Sequence, residues 1–297
     1  MSSGLHPLGY ESKIAKLSSG HHLRYVDIHP PQGTEIIVTA LLIHGFPDSA
    51  YGWRNQIKGW SQRGIRLIVP DTIGYAGSSQ PTDPQEYSMK SQSDDFEELV
   101  RQAGVPQNER IILIAHDWQG RNHGFTNGSI QAKPREGGRQ AEKFINALYS
   151  SPAKFASGEI PRFEKAGVLE GWLQDQSQTT ESDILSKEEL NTIVSEIKAG
   201  VGFSAMLNYY RTNQINYELE KNLPQEFRPD MPKLLVLPTA DPALPAEILA
   251  QAGQGIKGVE LAWLEGAGHW VMLERPQELE KLVGEWVEKM VTQGWNL

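Results

Sequence analysis

The chain has 297 residues, 39% of them hydrophobic and 22% charged, which is enough apolar material for a buried sheet and too little charge for wholesale disorder. A formal net charge of -9 argues against a nucleic-acid partner, because phosphate binding needs clustered Lys and Arg that are not seen here. There is no cysteine, which excludes disulfides, thiol nucleophiles and thiolate metal sites.

The N-terminal stretch Met1–Lys13 lacks a charged head followed by an apolar run, and no later stretch has the length of a membrane span. The expectation is a cytoplasmic protein without a membrane partner. In chain order, Lys13–Leu17 and His22–Asp27 read as strands, and the nearly continuous apolar run Ile36–Ile43 as a strand buried on both faces. Tyr51–Arg63 has helical spacing, Ile65–Pro70 is a further short strand, and a Gly-rich loop covers Ile73–Ser79. Ser88–Ala103 is an amphipathic helix leading to strand Arg110–Ala115. Gly120–Arg139 is polar, glycine-rich and without apolar period, the pattern of a loop. Glu142–Tyr149, Ser182–Ala199 and Ala205–Tyr210 read as helices, Lys233–Pro238 and Val259–Leu264 as strands, and Pro276–Met290 as a closing helix with Pro near its start. Alternating strands and helices imply an α/β fold with a mostly parallel sheet and flanking helices. Residues 1–120 and 228–297 would form one core, with 121–227 an atypical loop and helical cap.

Three expected strands end on a candidate catalytic group, and ligand sites of open parallel sheets lie beyond those carboxyl ends. Ile111–Gly120 places Asp117 where a strand turns sharply, the position of a nucleophile elbow with Asp in place of Ser. Asp241 follows Lys233–Pro238, and His269 follows Val259–Leu264, so the order is nucleophile, acid, histidine. His44, Gly45, Phe46 and Pro47 follow Ile36–Ile43, where a backbone N–H for an oxyanion site is expected, with a second N–H from Trp118. Taken singly, an Asp after a strand is most often a helix cap, Asp241 a turn former and His269 a packed core histidine. Their joint order argues against those readings. No metal or organic cofactor is implied, since no cluster has metal-ligand spacing and no phosphate loop follows a strand.

Leu41–Arg54, Pro70–Ser79, Asp94–Asp95 and His116–Trp118 resemble the α/β-hydrolase fold epoxide hydrolases, especially microbial and fungal ones, over about Tyr10–Trp118 and more weakly from Phe203 onward. The resemblance implies that Asp117 attacks an epoxide carbon to form an ester, and that His269, oriented by Asp241, activates water to release a vicinal diol. It also implies an acid donor from the cap: Asn208–Arg211 resembles the motif bearing one such tyrosine, assigned to Tyr210 with Tyr209 as the rival. The partners implied are a small epoxide and water; oligomeric state is not readable. Haloalkane dehalogenases share the Asp–Trp pair, but usually carry Asn where this chain has Phe46. The family normally follows the elbow with Gly-Gly, a long apolar helix and a further strand, whereas this chain has Gln119, Gly120 and then Arg121–Arg139, which resembles a shifted or unspliced reading of a gene. That departure keeps a third reading open, a non-catalytic relative that binds a small apolar ligand.

Overall fold

The structure, a computed structural model, describes residues 4–117, 137–161, 167–223, 231–244, 248, 250, 251 and 254–294. Strands β1 (Lys13–Lys16), β2 (His22–Ile28), β3 (Val38–Ile43), β4 (Ile65–Pro70) and β5 (Ile112–Ala115) form one sheet in the order β1-β2-β4-β3-β5. The first two strands run antiparallel to their neighbours, while β3 pairs in parallel with both β4 and β5. A second sheet is the parallel pair β6 (Lys233–Pro238) and β7 (Val259–Leu264). The first sheet is therefore mixed and its parallel part presents Asp117, while the parallel pair β6–β7 presents Asp241 and His269. β3 is buried along all but its last residue, as an uninterrupted apolar run must be when both faces are covered. It starts at Val38, later than its apolar run suggests, because Ile36 is exposed.

The helical stretch expected over Tyr51–Arg63 is split into a 3-10 turn, Ala50–Trp53, and α1 (Ile57–Gln62). The Ser49 side chain caps the first piece by accepting from Tyr51 N–H. Helix α2 (Met89–Gln102) is capped by Ser88, whose hydroxyl accepts from Ser91 N–H, and buries Leu99 and Val100. Then follow α3 (Gly137–Leu148), α4 (Pro152–Ala156), α5 (Val168–Gln174) and α6 (Lys187–Ala199). Helix α3 begins three residues inside the stretch expected to be loop. Helix α6 starts five residues later than its apolar period implies. The reason is local: the Ser182 hydroxyl accepts from the N–H groups of Ile184 and Leu185, and Ser186 with Glu189 then forms a capping box.

Two arginines, Arg24 on β2 and Arg54 just after the 3-10 turn, fasten α6 to the core. Arg54 bonds Glu189 at 2.7 Å and Arg24 bonds Glu196 at 2.5 Å, the two carboxylates lying two turns apart on one helix face. Helices α7 (Phe203–Met206) and α8 (Asn213–Glu220) complete the middle of the chain. After β7 come α9 (Val271–Glu274) and α10 (Pro276–Thr292), which buries Leu279, Val283, Val287 and Met290 at helical spacing. Among the described residues no helix is long and apolar enough to cross a membrane.

Candidate active site

The nucleophile candidate sits at the end of β5. His116 N–H donates to Ile43 O at 3.0 Å, extending the β3–β5 ladder by one residue, and the chain then turns at Asp117 with φ 64°. A non-glycine residue rarely adopts this left-handed conformation, and here the turn lifts the carboxylate off the end of the sheet. One carboxylate oxygen, Oδ2, accepts the Phe46 N–H at 3.1 Å. Gly45 makes that approach possible: a Cβ there would lie 2.3 Å from Asp117 Cβ. His44 is fully buried, and burial lowers its pKa. Its Nδ1 donates to Gly45 O at 3.0 Å and its Nε2 accepts from Thr72 N–H at 3.0 Å, so its side chain braces the loop from below. Pro47 follows a cis peptide bond. Trp118, Gln119 and most of the 121–139 stretch lie outside the described residues.

Asp241 and His269 come from the loops after β6 and β7. His269 Nδ1 bonds Asp241 Oδ2 at 3.0 Å, and His269 Nε2 lies 3.9 Å from Asp117 Oδ1. Burial opposes charge on His269, but the Asp241 hydrogen bond and the negative charges of Asp241 and Asp117 outweigh it and raise its pKa to about 9. Burial likewise works against the Asp241 carboxylate, and the bond from His269 overcomes it and holds the group below its ordinary range. Asp117, Asp241, His269 and the Phe46 N–H are thus brought to one place from four loops, those after β5, β6, β7 and β3.

Tyr210 reaches this place through Phe46, whose ring it meets edge-on at 5.5 Å. Burial, then the Asp117 charge, push its hydroxyl well above the ordinary phenol range, so it stays protonated. Its rival Tyr209 is fully buried and donates its hydroxyl to Ile73 O at 2.9 Å, which gives it a structural task. Phe144 and Phe203 also pack about Phe46, at 6.3 Å each.

Three neighbours have no role assigned from sequence, Tyr149 among them because its surroundings do not match the motif of a second cap tyrosine. Asp48 is buried; burial pushes its carboxyl up to about 7, although Ser49 N–H donates to it at 2.8 Å. Tyr149 stacks on Trp270 at 3.9 Å with its hydroxyl toward Asp48. His116 bonds the backbone of His269. Asp48 and His116 lie within the segments that carry the family resemblance, whereas Tyr149 matches no motif and owes its place to packing. Among the described residues no group of three or more His, Asp or Glu side chains is arranged to hold a metal ion.

Known proteins bear on this geometry. The chain is 26% identical to the epoxide hydrolase srdG of Neurospora crassa, covering 85% of this chain and 87% of that protein. It is 27% identical to epoxide hydrolase A of Mycobacterium tuberculosis, over 88% and 92% of the two chains. In fold it matches the crystal structure of epoxide hydrolase A from Mycobacterium thermoresistibile with a TM-score of 0.73 at 22% identity, covering 94% of this chain and 98% of the other. The potato (Solanum tuberosum) epoxide hydrolase I structure matches with a TM-score of 0.68 at 23% identity, over 94% and 99%. A family model matches residues 40–282, and the chain belongs to the alpha/beta hydrolase family.

Proposed function

We propose that this chain hydrolyses epoxides to vicinal diols through a covalent ester on Asp117. The observation that carries the reading is a carboxylate, rather than a hydroxyl, at the left-handed turn after β5, with one oxygen on the Phe46 N–H and His269 3.9 Å from the other. A carboxylate suits attack on an sp³ carbon, because the ester formed has a carbonyl open to water, whereas the ether a serine would form is inert. Relatives named as epoxide hydrolases, matched over most of their length, support the same reading.

In the first step Asp117 Oδ1 attacks an epoxide carbon and the C–O bond of the ring breaks. The electron pair goes to the epoxide oxygen, which takes a proton from the Tyr210 hydroxyl. In the second step His269 removes a proton from water, and the resulting hydroxide adds to the Asp117 carboxyl carbon. The negative charge that develops on Oδ2 faces the Phe46 N–H. Collapse of this intermediate expels the alkoxide, which takes the proton from His269 to give the diol, and the proton left on the Asp117 carboxyl restores the Tyr210 hydroxyl. Esterification removes the Asp117 charge, one of those that hold the proton on His269. Losing that charge lowers the His269 pKa, so more of the ring is in the neutral form that can take a proton from water when the ester needs it. Residues 121–227 act as the cap that supplies Tyr210.

Diol formation from terminal and aryl epoxides tests the reading, with Asp117→Asn measuring background. Diol from the wild type alone supports it. A cooperatively folding wild type without turnover points to a non-catalytic relative, and halide release from haloalkanes points to a dehalogenase.

A further inference from the structure

His116 is the residue just before the nucleophile. Its backbone is tied to β3 through the Ile43 carbonyl. Its side chain goes the other way: Nε2 lies 2.9 Å from His269 O, and its ring stands edge-on to that of His269 at 4.9 Å and 5.4 Å from Trp270. A carbonyl can only accept, so the Nε2 atom carries the proton. Burial and the neighbouring His269 charge push the His116 pKa down to about 4, so the ring is neutral while His269 is charged.

The place of this bond gives it weight. Among the described residues β5 pairs only with β3, and β6 pairs only with β7. No backbone ladder there joins the strand that carries Asp117 to the strands that carry Asp241 and His269. Asp241 fixes the His269 ring from its Nδ1 side, but it belongs to the same two-stranded unit and so does not tie that unit to β5. The His116 side chain spans from one unit to the other at the reacting groups themselves.

We infer that His116 is a positioning residue for the second step, its Nε2–H holding the His269 backbone so that the His269 ring stays aligned on the Asp117 ester. It touches neither epoxide nor water. This inference rests on the function proposed above. The first step does not use His269 as a base, so it is largely spared when the tie is cut.

The test compares His116→Leu, which removes the donor, with His116→Gln, whose side-chain amide can restore it. Single-turnover experiments with an epoxide follow the ester by intact-protein mass spectrometry. In His116→Leu the ester forms at close to the normal rate and decays roughly 10- to 100-fold more slowly, as small misalignments of a catalytic group commonly cost. The ester then accumulates, and kcat and KM fall together. His116→Gln recovers most of the lost rate. The inference is overturned if His116→Leu slows both steps equally, if it slows neither, or if His116→Gln is as impaired as His116→Leu. A second readout needs neither turnover nor a folded variant: nitrogen NMR of the wild type should show His116 as the neutral Nε2–H form at about pH 6. A doubly protonated or Nδ1–H ring sinks the inference. Absence of any ester in the wild type would sink the function proposed above, and the NMR result would still decide whether His116 makes the tie.

Discussion

The strand pairs β3–β4 and β6–β7 carry similar amounts of apolar sequence and bury it very differently. In β3 and β4 nearly every residue is buried, and Leu42, Leu67 and Ile68 are wholly so. In β6 the first four of six residues are only half-buried although they read Lys-Leu-Leu-Val, and in β7 Leu261 and Trp263 are 38% and 46% exposed. The difference is one of neighbours. β3 lies between two strands, while β6 and β7 have only each other among the described residues. Each Leu fully buried in the first sheet contributes roughly 1.5–3 kcal/mol, and the second sheet collects only part of that. The nucleophile candidate stands on the well-buried sheet and its acid and histidine on the other, so the candidate site is assembled across a difference in burial.

The sharpest way to break that comparison is to disable one side at a time. Asp117→Asn, on the first sheet, should abolish ester formation and lower turnover by about 10⁴-fold or more. His269→Gln, on the second, should leave ester formation intact and stop its decay, so that intact mass shows a stable adduct. Next come the strands themselves. Leu42→Ala should cost about 2–5 kcal/mol in urea unfolding, whereas Leu235→Ala, at a half-buried position of β6, should cost less than about 1.5 kcal/mol. Equal costs would mean that the second sheet is as well supported as the first.

Acidity sharpens the comparison further. His269 binds its proton more tightly in the folded state, to about 9, than the ordinary value of 6.5. Protonation therefore favours folding: the contribution is complete below about pH 6.5 and is lost as pH rises through about 9. Thermal melts of the wild type should lose stability over that window relative to His269→Gln. The rate of ester decay should rise with pH, with its midpoint below 9 because the Asp117 charge is gone in the ester, and lower again in Asp241→Asn. A pH-independent decay would remove His269 from the role of base. The smallest effect belongs to the α6 fastening: Glu189→Gln, which keeps the capping box with Ser186 and removes only the charge facing Arg54, should cost no more than about 1 kcal/mol, since the pair is partly exposed.

The same contrast separates what could be read in the sequence from what could not. β4, β6 and β7 have the bounds that their apolar runs imply, because a strand needs only local pattern to be recognised. α4 and α5 are short helices without enough length to show a period, and they were not anticipated. The order Asp117, Asp241, His269 was legible because each residue follows a strand. Tyr149 was not, since its stacking on Trp270 joins segments far apart in sequence. That α/β architecture was expected from alternation, yet the antiparallel run of β1 and β2 was not, because pairing direction leaves no mark on a single strand.

The two oxygens of Asp117 do not have the same surroundings: Phe46 N–H holds Oδ2, and His269 faces Oδ1. On the proposed mechanism this sorts them by ancestry. The diol released in a first turnover carries away the oxygen that faced His269, and the oxygen of the attacking water takes its place in the protein. The next diol then receives that water-derived atom, while the oxygen under Phe46 stays from one cycle to the next. With isotopically heavy water, label should reach the diol one turnover late, and a carboxylate that flips between cycles would blur that delay.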